Sequence, residues 1–281
     1  MIIDFFHRPG SQKLPYACDL PLDSQGKFYH IDCRVGDVAP YILACANPGR
    51  AHSMADFLQE RELKGKNREY IVYTGRYKGI PLSVMGTGIG APATAIAVVE
   101  AAQCQPNATF IRVGTCGALQ PEIGLGDLIL TDECIREENT TRYYAAPDLV
   151  VRAHPDVLRA LEIAAGELHF PYHKGTTCTT SDFYAGQGRK IDGFPVRDAN
   201  KVERLRSLGV LNFEMEMSVF LTLATVSSYK LRAGGVTVVF CNRIDGTWSS
   251  SEDHEVRGIK TALRAVEILF ASDSRRLAVT S

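Results

Sequence analysis

GTGIGAPATAIAVVEAAQ, residues 86–103, decides the fold class. Its first five residues, GTGIG (86–90), form a glycine-rich turn, and APATAIAVVEAAQ (91–103) has helical length and good helix formers. The preceding stretch, REYIVYTGRYKGIPLSVMG (68–86), reads as two strands joined at a turn near Tyr77–Gly79. A strand that enters a glycine turn and leaves it as a helix is the basic joint of α/β proteins. The alternation recurs on both sides. YILACA (41–46), TFIRVGTC (109–116), GDLILTDECI (126–135) and GGVTVVFC (234–241) read as strands. PDVLRALEIAAGEL (155–168), EMEMSVFLTLATVSSYK (214–230) and a last segment over 252–272 read as helices. The expected fold is α/β: a single domain over 29–281 with a mixed central β-sheet flanked by helices. Residues 1–28, rich in Pro, Gly, Asp and Ser, are expected to form an extension.

Bulk properties exclude several classes. A net charge of −1 gives no electrostatic footprint for nucleic acid or a membrane surface. No apolar run has the length of a spanning helix, and the N-terminus does not read as a secretory signal. The 8 cysteines form no C-x-x-C pair, which favours reduced, mostly buried thiols in a cytoplasmic protein and no metal site.

The glycine turn suits an anion such as phosphate, because backbone N–H groups and a helix N-terminus converge there. Close strand–helix packing also calls for glycine. No Gly-Lys-Ser/Thr follows and the G-x-G-x-x-G spacing is absent, so neither a nucleoside triphosphate nor a dinucleotide is supported. Arg112 interrupts an apolar strand, where a charge is costly unless paired or aimed at a ligand. Thr115 lies three residues on, at the strand's end, where α/β proteins bind ligands. Arg50 closes the loop ANPGR after another strand. Glu214 and Glu216, at a strand–helix junction, leave room for one structural and one site carboxylate. In FYAGQGR (183–189), Gln187 offers an acceptor and donors, and Arg189 only donors. Aimed into one pocket they match the O2, N3–H, O4 edge of uracil; otherwise they are solvated loop residues.

Taken together, HIDCRVGDVAPYILACANPGR, NREY, GTGIGAPATAIAVVE, FIRVGTCGAL, SDFYAGQGR, NFEMEMSVF and FCNR resemble the nucleoside phosphorylase-I family, and within it the uridine phosphorylases. The resemblance spans residues 29–270. It implies the family's fold and reversible phosphorolysis of uridine, with deoxyuridine and thymidine as further candidates. Inorganic phosphate is then a co-substrate, and no cofactor is required. Ala46, Arg50, Arg112 and Thr115 would hold phosphate, joined by Arg68 from a neighbouring subunit. His30 of that neighbour would meet the ribose 5′-hydroxyl. Met215 would pack under the ribose, and Glu216 would accept from its hydroxyls. Phe183 would line the pocket, Gln187 and Arg189 would read the base, Arg243 would assist near O4, and Phe240 and Cys241 would pack on the ring. The family's dimers, or hexamers built as trimers of dimers, imply a homo-oligomer.

Four departures stand out. Cys45-Ala46-Asn47-Pro48 replaces the usual P-G-D-P, and Ala46 accepts positive φ poorly. Asn47 loses a charge whose usual role is structural. Ala93 replaces a Ser that, with the glutamate matching Glu69, helps bind a monovalent cation in some bacterial members; this argues against a metal. Met217 replaces a Ser after Glu216. Purine-specific members use an Asp where Asn242 stands. A nucleosidase or purine phosphorylase of the same fold, and a non-catalytic nucleoside-binding paralogue, are the competing readings.

Overall fold

A computed structural model describes residues 17–280. The chain order is β1 (Tyr41–Cys45), α1 (Pro48–Ala55), β2 (Gln59–Asn67), β3 (Tyr70–Tyr77), β4 (Ile80–Gly86), α2 (Ala91–Cys104), β5 (Thr109–Ala118), β6 (Leu128–Glu137), β7 (Val151–Arg152), α3 (Pro155–Glu167), β8 (Tyr172–Thr180), α4 (Lys201–Ser207), β9 (Asn212–Glu214), α5 (Met217–Val226), β10 (Arg232–Asn242) and α6 (Glu252–Thr280).

The sheet is mixed, as expected. β1 lies parallel to β4 and to β5, and β3 and β2 extend it antiparallel beyond β4. β5 also pairs with β10 and β9, and β6 and β8 link those two, so the strands β5, β10, β6, β8 and β9 close into a ring. Period-two alternation sorts side chains between two cores. Ile42 and Ala44 face the α2 and α5 layer, while Tyr41, Leu43 and Cys45 face the layer of α1, α3 and α6. On β5, Phe110 joins the first core and Ile111 and Val113 the second. Arg112 therefore points with Phe110 toward α2 and α5, and this side holds the carboxylates described below.

Some segments differ from expectation. Residues 1–16 of the expected extension lie outside the described residues. Leu22 bridges Phe28, whose ring is buried in the core, so packing begins ahead of Tyr29. The expected helix at 214–230 is shorter: Glu214 ends β9, and α5 runs only from Met217 to Val226. Arg50, expected in a loop, sits in the first turn of α1. That helix has Asn47 as N-cap, its side chain accepting from Gly49 N, and Pro48 in its first turn. β2, QERELKGKN, gave no apolar signal because it is a charged edge strand.

Candidate active site

The carboxyl ends of parallel strands collect the site, as the connectivity of α/β sheets dictates. One cavity of about 660 Å³ opens there. It is lined by the ends of β1, β5, β9 and β10, the start of α1, the glycine turn and the Phe183–Arg189 loop.

At one end, Ala46, Arg50, Arg112 and Thr115 line the cavity together. Arg50 is nearly sealed from water. Its Nε donates to Glu255 at the start of α6, and its Nη1 lies 3.4 Å from Val113 O. Arg112 is only 3% exposed. Its Nε donates to Glu214 at 2.9 Å and its Nη2 meets Glu216 Oε2 at 2.6 Å. Both alternatives for this buried charge thus hold at once: it is paired, and it borders a cavity. Ala46 is not among the residues with positive φ, so its Cβ meets no backbone penalty.

The two glutamates divide as their spacing allowed. Glu214 Oε2 accepts from Arg112 Nε, and at 2.8 Å from both Glu216 N and Met217 N, while Oε1 accepts from Thr179 Oγ1. It caps α5 and is saturated by protein donors. Glu216 accepts from Gly90 N at 2.6 Å and pairs with Arg112. Burial raises the Glu216 pKa above its usual 4.5; Arg112 opposes the shift and Glu214 adds to it. The anion that the glycine turn meets at Gly90 is thus this internal carboxylate. Gly90, at φ 90°, caps α2 in a conformation that L side chains rarely adopt, and its N–H meets Glu216.

At the other end, Gln187 and Arg189 share the cavity with Phe183, Phe240 and Cys241. A short 3-10 turn, Ala185–Gln187, and Gly188 at φ 67° turn both side chains to one side. Arg189 Nη1 donates to Gln187 Oε1 and, at 2.7 Å, to Phe183 O, and its guanidinium lies 3.8 Å from the Phe183 ring centroid. Gln187 Nε2 is anchored on Thr180 Oγ1 at 3.2 Å. Burial lowers the Arg189 pKa, with Cys241 opposing the shift. Among the described residues no carboxylate pairs with Arg189 or Arg243. Arg189, a cation at the cavity wall without a carboxylate partner, suits a place where negative charge develops.

Three expected site residues do not line the cavity. Arg243 Nη1 donates to Gln187 O at 3.0 Å, so it braces the loop that carries Gln187. His30 Nδ1 is held 2.6 Å from Glu100, and Arg68, at φ 52°, stacks its guanidinium 5.6 Å from the Tyr29 ring centroid. His30 and Arg68 thus share one patch through Tyr29, apart from this chain's own cavity.

Sequence reasoning missed Ile89, Cys116, Phe213 and Trp248 among the lining residues, and Glu69, weighed there only for a cation, lines the cavity too. Trp248, 60% exposed, returns beside Cys241 through a bridge and meets Phe240 edge-on at 6.4 Å. The dipeptide Asp245-Gly246, with Gly246 at φ 77°, is a hairpin signal that places it there. No helix among the described residues is long and apolar enough to cross a membrane. Among the same residues no cluster of three metal-ligating side chains occurs.

A mixed sheet with an arginine–carboxylate cluster beside a cavity at its strand ends has the form of an α/β enzyme. Residues 40–271 match the phosphorylase superfamily, and the chain belongs to that superfamily. It is 41% identical over 262 residues to the uridine phosphorylase of Thermococcus kodakarensis, covering 92% of this chain and 93% of that one. It is 32% identical over 252 residues to the uridine phosphorylase of Escherichia coli K12, covering 86% and 98%. The guanosine phosphorylase of Halorubrum lacusprofundi is 31% identical over 250 residues, covering 85% and 98%.

Proposed function

We propose that the chain catalyses reversible phosphorolysis of uridine to uracil and ribose 1-phosphate. The observation that carries this reading is convergence: Gln187 and Arg189 line the same cavity as Arg112 and Glu216. Relatives named uridine phosphorylase at 41% and 32% identity support it.

Phosphate, held by Arg50, Arg112, Thr115 and the Ala46 N–H, attacks C1′. The N1–C1′ bond breaks as the ribose gains oxocarbenium character, and the electron pair leaves on uracil. Arg189 donates to O4 and Gln187 to O2, where negative charge grows. Gln187 Oε1 accepts from N3–H. Glu216 accepts from the ribose hydroxyls, Met215 packs below the ring, and Phe183, Phe240 and Cys241 pack on the base. No covalent enzyme intermediate is needed; positioning and fixed charge supply the rate. Cytosine presents an acceptor at N3 and a donor at its 4-amino group. Each mismatched buried polar group costs about 1–3 kcal/mol.

The phosphate end of one chain is short of positive charge. The two guanidiniums of Arg50 and Arg112 face three carboxylates, Glu214, Glu216 and Glu255, so a dianion lacks a net cation there. Arg68 from a second copy would add a third guanidinium and bring that balance to zero, with His30 of the same copy on the ribose 5′-hydroxyl. This shortage supports a homo-oligomer, at least a dimer, as the active form in our reading.

A purine reading has the similarity to the guanosine phosphorylase in its favour. Against it, Asn242 lies outside the cavity wall. Its Nδ2 donates to Gln120 O and Ile123 O at 2.9 Å each, and its Oδ1 accepts from Ile244 N. Nothing there protonates a purine N7. The test is synthesis in reverse: uracil plus ribose 1-phosphate should yield uridine and free phosphate, and hypoxanthine should yield nothing.

A further inference from the structure

We propose that Glu138 is a positioning residue that fixes the start of α5 and, through it, Glu216. This rests on the reading of Glu216 as acceptor for the ribose hydroxyls.

Glu138 follows β6 directly, is only 1% exposed, and has no cationic partner among the described residues. A buried carboxylate without a cation is tolerated only where donors saturate it. Its Oε2 accepts from Thr141 N at 3.0 Å, and its Oε1 from Thr141 Oγ1 and, at 3.1 Å, from Ser218 Oγ. The two Thr141 contacts are local. Ser218 alone ties Glu138 to a distant part of the chain, and Ser218 is the second residue of α5.

The first turn of α5 is then held from three sides. Glu214 takes the N–H groups of Glu216 and Met217, both at 2.8 Å. Thr179 Oγ1 accepts from Ser218 N at 3.0 Å and donates to Glu214 Oε1. Glu138 takes the Ser218 hydroxyl. Glu216 is the N-cap of this helix, so its carboxylate moves with the turn. Glu138, Ser218, Thr179 and Glu214 form one buried hydrogen-bonded chain that ends at Arg112 and Glu216. Networks of this kind act through geometry, because each member fixes the next. An acceptor for two vicinal hydroxyls tolerates little displacement, and a shift near 1 Å costs about a hundredfold in rate.

The experiment compares wild type with Ser218→Ala, Glu138→Gln and the double variant. Each is assayed for kcat and KM with uridine, with 2′-deoxyuridine and with phosphate, and for Tm. The two single variants should each lose about ten- to a hundredfold in kcat/KM for uridine and clearly less for 2′-deoxyuridine. The phosphate KM should stay within about twofold, and the double variant should be no worse than Glu138→Gln alone. Folded variants with lowered Tm but an unchanged uridine to 2′-deoxyuridine ratio overturn the positioning role. If Glu138→Gln does not fold, Ser218→Ala decides alone, since it leaves Glu138 bonded to Thr141. A wild-type protein that leaves uridine intact overturns the functional reading and this role with it. Wild-type turnover with unchanged variant ratios overturns only the role of Glu138.

Discussion

Arg112 Nη2 lies 2.6 Å from Glu216 Oε2, with both side chains almost sealed from water. The same guanidinium is held by Glu214 through Nε at 2.9 Å. One cation thus sits between two carboxylates that meet different partners. Both line the cavity, but Glu214 is saturated by Arg112, Thr179 and two backbone N–H groups, whereas Glu216 meets only Gly90 N and Arg112 among the described residues. Replacing each by glutamine should separate stability from activity. Glu214→Gln breaks a buried pair and the α5 cap, and should cost about 3–5 kcal/mol in urea denaturation. Glu216→Gln relieves the burial of a charge, so it should destabilise less. It should still lower kcat/KM for uridine by about a hundredfold or more. Equal loss of stability with little loss of activity in Glu216→Gln would contradict this division.

If Glu216 accepts from the ribose hydroxyls, its raised pKa should set the acid limb of activity. Burial is the main cause, and Arg112 only partly offsets it. A carboxyl group whose folded-state pKa is raised takes up its proton at a pH where an ordinary glutamate stays ionised. Protonated, it loses acceptor capacity toward the ribose hydroxyls. The fall in kcat/KM for uridine should therefore begin above the usual glutamate value of 4.5 as the pH drops from neutrality. The residual activity of Glu216→Gln should lack that limb. A wild-type profile that stays flat down to the ordinary glutamate range would count against the assignment.

Ala46 replaces a glycine usual in related sequences, yet its φ is not positive. Ala46→Gly should therefore leave the phosphate KM within about twofold and lower stability by about 0.4–1 kcal/mol through the unfolded chain. A phosphate KM improved by about tenfold, worth roughly 1.4 kcal/mol, would mean that the alanine distorts the bound state.

Arg189 and Arg243 lie near each other but act differently. On the proposed base reading, Arg189→Ala removes the donor to O4 and should lower kcat for uridine by about a hundredfold or more. Arg243→Ala removes only the brace on Gln187 O and should raise the KM for uridine with a smaller effect on kcat. Steady-state kinetics of the two variants, side by side, read this out.

If Arg68 completes a neighbour's site, two inactive variants should rescue each other. Arg68→Ala and Glu216→Gln chains, mixed and reassociated, form some sites with both native residues. Activity should reappear on mixing. Its absence, in mixed oligomers verified by mass spectrometry, would place Arg68 outside catalysis.

Much of the fold was legible because buried strands carry apolar runs. β1, β5 and β10 stand where their Val, Ile and Leu content puts them. β2 was not legible, since both of its faces are wet and its charges mimic a loop. α1 was hidden by its eight residues and its Pro-Gly start. In the site, Arg112 stood out as a charge in an apolar strand, and Gln187 and Arg189 as a spaced pair. Direction was harder to read. Arg243 stands two residues from Cys241, which lines the cavity, yet is itself bonded to Gln187 O outside that lining. The glycine turn advertised an anion, and the one it meets at Gly90 is Glu216, from a segment 126 residues away. Trp248 needed the Asp245-Gly246 turn to bring it back to Cys241.

The most direct measurement is cleavage of uridine with and without inorganic phosphate, followed by uracil absorbance, with inosine alongside. Phosphate-dependent release of uracil, with inosine untouched, is the expected result. Uracil release at the same rate without phosphate would contradict phosphorolysis and point to a hydrolase. No release at all, with uridine still bound, would make this cavity a nucleoside-binding site on an enzyme's fold.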